Sequence, residues 1–169
     1  FSVSAFDYNL PIELIAQEPS KPRDHSRLLL LNKKTGLVSH SFFYHIVDYL
    51  QTGDVLVLNN SRVFPARLTG HKKESGGVIE IFLHQKKSSH VWECLLKGKV
   101  KTGLEINLTS GLTAIVLDSN QDGTWQVRFS LGGNKLWEVI NKIGVTPLPP
   151  YIKRVNSMAD DKNLYQTVF

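Results

Sequence analysis

Three short stretches of this sequence gather side chains suited to holding a ligand, and all three lie outside any apolar periodic segment. They are "RDHSR" (Arg23, Asp24, His25, Ser26, Arg27), "NNSR" (Asn59, Asn60, Ser61, Arg62) with Arg67 close behind, and "YQT" (Tyr165, Gln166, Thr167). Arginine grips carboxylates and phosphates through a planar two-pronged contact, and asparagine both donates to and accepts from a base or ribose edge. Such groups just beyond strand ends occupy the position where open αβ sheets bind ligands. Each also has a structural explanation when taken alone. Asp24 or Ser26 suits a turn cap, Asn60 and Ser61 suit loop backbone groups, and Arg67 suits a strand surface. The residues alone therefore lead to a polar, arginine-bearing ligand site.

Other chemistries find no footing. The six histidines (25, 40, 45, 71, 84 and 90) and the single cysteine show no zinc-type spacing, so no metal is expected. There is no P-loop, no Gly-x-Ser-x-Gly elbow and no Gly-x-Gly-x-x-Gly turn. Cys94 sits in the strand-like "HVWECLLKG" and reads as a reduced core thiol, which points to a cytoplasmic location. No apolar run reaches the ~20 residues that cross a bilayer. The opening "FSVSAFDYNLP" lacks the regions of a signal peptide, and without a methionine it suggests a processed or partial chain.

The net charge is +5, the sequence pI is near 9.3, and the hydrophobic and charged shares, 41% and 21%, are those of a globular protein. Lysines cluster at Lys72, Lys73, Lys86, Lys87, Lys97, Lys99 and Lys101 against Glu74, Glu80 and Glu93. Such a run suits either a solvated surface or an RNA-phosphate footprint.

The elements that must position these groups fall into two textures. Up to residue 66 the pattern is mixed αβ. It comprises a short helix in "PIELIAQ" opened by Pro11, a buried strand in "RLLLLN" turning through "KKTG" to "LVSH", a helix in "SFFYHIVDYL" capped by Ser41, and a strand over Val55 to Leu58. From Ala66 to Leu131 six short strands follow, "ARLTGHK", "VIEIFLH", "VWECLLK", "LEINL", "LTAIVLD" and "TWQVRFSL", separated by turn residues. Their alternation predicts a small antiparallel barrel. A helix in "NKLWEVINKIG", stopped by Gly144, leads to the stiff "TPLPPYIKR". The expected fold is α+β: an αβ domain, incomplete, over 1–66 and 145–169, with a six-stranded β-barrel inserted at 67–144.

Four motifs carry a family resemblance. "FDYNLPIELIAQEPSKPRDHSRLLLL", "GDVLVLNNSRVFPARLTG", "TPLPPYIKR" and "YQTVF", in this order, resemble the N-terminal half of the S-adenosylmethionine:tRNA ribosyltransferase-isomerase family of queuosine biosynthesis. The match spans nearly the whole chain and is weakest through the barrel. Asn60 and Ser61 stand where the family often has Asp or Asn followed by Thr, and Phe169 where it commonly has Tyr. The family continues into a "GSVAAPTAGLHF"-like segment that is absent here, so a fragment inactive by itself is expected.

The resemblance implies transfer of the ribosyl group of S-adenosylmethionine to 7-aminomethyl-7-deazaguanine at the wobble position of a tRNA with a GUN anticodon. Isomerisation then gives epoxyqueuosine, and adenine and methionine leave. On this reading Arg62 or Arg67 holds an anionic group, while Asn59, Asn60, Ser61 and Gln166 serve the cofactor-like substrate. Asp24 with Arg23 and Arg27 forms a structural or acid–base cluster, and Asp24 and Arg62 are the catalytic candidates. Tyr151 is placed to stack a splayed base, with Lys72, Lys73, Lys86 and Lys87 on RNA phosphates. A monomer without metal or membrane contact is expected. The rival reading is a non-catalytic RNA-binding barrel.

Overall fold

A computed structural model describes residues 2–153 and 161–166, and divides them into two compact units. One comprises residues 2–60 with 149–153, the other 61–148 with 161–166. The second unit thus begins six residues before its first strand and takes in residues 161–166.

The second unit is a closed antiparallel barrel of six strands. In chain order, after β1 and β2 of the first unit, these are β3 (Arg67–Lys72), β4 (Val78–Lys86), β5 (Val91–Lys97), β6 (Glu105–Leu108), β7 (Thr113–Ser119) and β8 (Trp125–Phe129). They close in the order β3-β4-β5-β8-β7-β6. Alternation dictates this arrangement, because every second residue of a strand points inward. Ile79, Ile81 and Leu83 of β4 are buried, as are Ile106 and Leu108 of β6 and Val127 and Phe129 of β8. Each such apolar side chain contributes about 1.5–3 kcal/mol when fully buried. The mixed αβ and barrel organisation expected from the sequence is therefore the one observed.

Helix α1 (Gly133–Ile143) sets Leu136 and Ile140 into the same core. It stops at Gly144, as expected, although Gly144 is not in a left-handed conformation (φ −74°). A Cβ there would lie 2.2 Å from the Pro65 carbonyl oxygen, so close approach of the chain before β3 requires glycine. Cys94 is buried in β5, and burial, with a smaller contribution from Glu93, pushes its thiol up to about 12.

In the first unit, β1 (Arg27–Leu31) pairs antiparallel with β2 (Val38–Phe42). Asn32 builds the turn between them, its Oδ1 accepting from the Lys34 and Thr35 amides at 3.0 and 3.1 Å, and Gly36 closes it at φ 71°. Four sequence expectations are corrected here. β1 is a strand but not a buried one: Leu29 and Leu31 are 59% and 58% exposed. The helix expected over "SFFYHIVDYL" is a 3₁₀ helix at Phe43–Tyr49 without a side-chain cap, because Ser41 is still paired in β2. "PIELIAQ" forms only the 3₁₀ turn Ile12–Leu14, with Pro11 preceding it. Val55 to Leu58 is irregular. A β-branched run becomes a strand only when its amides and carbonyls find a ladder, and the described sheet of this unit holds β1 and β2 alone.

Among the described residues no helix is long and apolar enough to cross a membrane.

Candidate functional site

The candidates divide between the two units. Arg23, Asp24, Arg27, Asn59, Asn60 and Tyr151 belong to the first, and Ser61, Arg62, Arg67, Gln166 and the lysines to the barrel unit.

In the first unit Arg23 and Asp24 share the 3₁₀ turn Arg23–His25, and Arg27 opens β1. Asp24 Oδ1 lies 3.1 Å from His25 Nδ1, and the His25 ring tilts against Tyr44 at 4.9 Å. The turn is anchored where the Phe43 amide donates to the Ser26 carbonyl at 2.8 Å. Asn59 and Asn60 lie in the irregular segment after Leu58. Tyr151 is half exposed, and its carbonyl accepts from Gln17 Nε2 at 3.2 Å. Gln17 Oε1 accepts the Lys153 amide at 2.8 Å, so one side-chain amide fastens the proline-rich return segment.

The barrel unit builds a cleft of about 470 Å³ around Arg62. Phe64 and Pro65 from the same segment, Trp137 and Asn141 from α1, and Lys162 complete its lining. The wall is an aromatic cluster: Phe64 meets Trp137 edge-on at 5.1 Å, and Trp137 meets Trp92 at 5.5 Å. Behind Arg62 the chain is held firmly. Gln166 Oε1 accepts the Val63 amide at 3.0 Å, and its Nε2 donates to the Val63 carbonyl at 2.9 Å and the Lys162 carbonyl at 2.7 Å. The side-chain amide thus pairs with the Val63 backbone as a neighbouring strand would. Arg67 and Val145 exchange backbone hydrogen bonds at 3.2 and 2.8 Å just beyond. Two cations, an aromatic wall and a carboxamide on a fixed backbone can receive an anionic group and a flat ring together.

Arg62 and Gln166, far apart in sequence, are brought to this one place. Gln166 supports the loop through its amide, and Arg67 opens β3 with its side chain exposed. Sequence reasoning missed Trp137, Asn141 and Lys162. The first two carried a signal: four apart on α1, they share a face beside Leu136 and Ile140. Lys162 carried none, because only the tertiary return of residues 161–166 delivers it.

The lysines do not form one patch. Lys72 and Lys73 stand where β3 ends, before the start of β4, whereas Lys86 and Lys87 stand at the far end of β4, roughly 26 Å along a nine-residue strand. Lys73 pairs with Glu105, whose hydrogen bond and charge raise the lysine pKa, and Lys87 pairs with Glu93 at 2.9 Å. Among the described residues no three His, Cys, Asp or Glu side chains gather as metal ligands.

A family described as "Queuosine biosynthesis protein" matches residues 3–169. The chain belongs to that family. Curated relatives named S-adenosylmethionine:tRNA ribosyltransferase-isomerase include one from Fusobacterium nucleatum, 45% identical over 99% of this chain and 47% of its own length. Those from Clostridium kluyveri and Thermotoga maritima are each 46% identical over 99% of this chain, covering 49% and 48% of the relative. The crystal structure of S-adenosylmethionine tRNA ribosyltransferase from Thermotoga maritima is 40% identical, with a TM-score of 0.39, covering 83% of this chain and 55% of that one. The chain spans about half the length of the curated relatives it matches.

Proposed function

We propose that this chain is the N-terminal part of an S-adenosylmethionine:tRNA ribosyltransferase-isomerase and that its barrel unit holds part of the S-adenosylmethionine site. The observation that carries the reading is the Arg62 cleft, lined by Arg62 to Pro65 and α1 of a chain that matches the queuosine family from residue 3 to residue 169. The full reaction moves the ribosyl group to 7-aminomethyl-7-deazaguanine in the wobble position of a GUN-anticodon tRNA and isomerises it to epoxyqueuosine. The enzyme works as a cytoplasmic monomer without metal, and these residues do not turn over by themselves.

The chemistry explains why such a cleft suits the substrate. The sulfonium charge acidifies the neighbouring ribose C5′ protons, a base removes one, adenine departs, and the aminomethyl nitrogen attacks the sugar. Holding the two substrates in register supplies much of the rate. In this reading Arg62 clamps the methionine carboxylate and Trp137 lies against the adenine. Ser61, next to Arg62 in the same unit, serves the ribose.

The test is a chimera in which these 169 residues replace the matching segment of the Clostridium kluyveri relative. Incubated with S-adenosylmethionine and precursor-bearing tRNA, it should release adenine and change the mass of the anticodon nucleoside. A folded chimera that binds the tRNA but releases no adenine would leave the RNA-binding barrel as the better reading.

A further inference from the structure

The splitting of the lysine run gives the two ends of the barrel different chemistry. At the end where β3 turns into β4, Lys72, Lys99 and Lys101 line a shallow cleft of about 300 Å³, with Glu74 as the one carboxylate in its lining. None of these three ammonium groups has an ion pair among the described residues, whereas Lys73 and Lys97 beside them face Glu105 and Glu80. The supports are rigid. The Lys72 amide donates to the Gly77 carbonyl at 2.9 Å and the Lys73 amide to Glu105 at 3.0 Å, tying the hairpin to β6. The 98–104 loop is pinned to β7 by Gly103 to Val116 at 2.8 Å and Val116 to Leu104 at 3.0 Å. An anion bound there meets charges whose backbone is already ordered, which lowers the cost of binding.

We propose that this turn end of the barrel, through Lys72, Lys99 and Lys101, holds the phosphates of a double-helical RNA stem. None of the described residues lining the cleft is aromatic, so it offers no platform on which an unstacked base could lie. Recognition by phosphate alone is the mode suited to a paired helix, whose base edges side chains scarcely reach. The Arg62 cleft, with Trp137 and Phe64, has the opposite character and lies past the start of β3, roughly 17 Å along that strand from Lys72. The proposal rests on the tRNA reading above only for the identity of the RNA.

The test measures binding of the 169-residue chain to an unmodified RNA hairpin with a paired stem, and to a single strand of the same length, across a salt series. Three phosphate contacts add about 2 to 3 to the slope of log affinity against log salt, or about 40-fold between roughly 50 and 200 mM. Lys72→Ala/Lys99→Ala/Lys101→Ala together should remove that increment for the hairpin, Lys86→Ala/Lys87→Ala should remove about one at most, and Glu74→Lys should add about one. An unchanged slope in the triple variant, an equal loss in the double variant, or equal lysine dependence with the single strand would each overturn the proposal. No S-adenosylmethionine is present, so the outcome is separable from the proposed reaction. Lysine-dependent hairpin binding with a chimera that releases no adenine sinks the reaction and leaves this surface standing; the reverse result does the opposite.

Discussion

The two units are comparably rich in apolar residues yet use them differently. Every residue of the buried core, from Ala66 to Ile140, lies in the barrel unit. No described residue of the first unit is buried, and Val55 and Val57 are each 87% exposed. The difference is one of closure. In the barrel each strand has two neighbours, so alternation converts directly into an inside and an outside. In the first unit β1 and β2 have only each other, and a two-stranded ribbon cannot cover its own apolar face. What the units share is a device: a single glutamine amide, Gln17 in one and Gln166 in the other, that both donates to and accepts from the backbone of a segment distant in sequence.

That contrast can be broken by substitution. Leu68→Ala, at a fully buried position, should cost about 2–5 kcal/mol in urea unfolding of the barrel, whereas Val57→Thr should stay within about 0.5 kcal/mol. Equal costs would mean that the first unit has a core of its own. Gln166→Ala removes the side-chain oxygen that accepts the Val63 amide. The expected loss is about 1–3 kcal/mol locally, read as faster hydrogen exchange at Val63 with the other barrel amides unmoved.

Cys94 sharpens the comparison through pH. Its folded-state pKa, about 12, lies above the ordinary 9.0. Between those values the unfolded chain releases the proton and the folded chain keeps it. Stability conferred by the protonated thiol is therefore whole below pH 9 and declines as pH rises towards 12, by up to about 1.4 kcal/mol per pH unit. Cys94→Ala should flatten that part of the stability curve, and the thiol should resist alkylation until the barrel unfolds.

How much of this was legible follows from the same closure argument. All six barrel strands could be read because Ile79/Ile81/Leu83 and Val127/Phe129 alternate with outward residues, and α1 because Leu136 and Ile140 recur at helical spacing. Val55 to Leu58 misled because strand propensity is a property of the segment, whereas strand formation is a property of its neighbours. At the site, Arg62 stood out by type and place, and Trp137 and Asn141 could have been found on one face of α1. Lys162 depends on a long-range return that local sequence does not encode. The lysine run shows the converse: residues grouped in one stretch of sequence stand at opposite ends of β4.

In the proposed reading the Arg62 cleft grips a ligand that carries both a carboxylate and a flat ring. The direct measurement is titration of the 169-residue chain with S-adenosylmethionine, followed by the fluorescence of Trp137 in that cleft, with Trp137→Phe identifying its share of the signal. Saturable quenching that Arg62→Ala weakens by about 10- to 100-fold, as expected for loss of a hydrogen bond to a charged group, is the predicted result. Saturable binding unaffected by Arg62→Ala, or no binding by a folded chain, would contradict it.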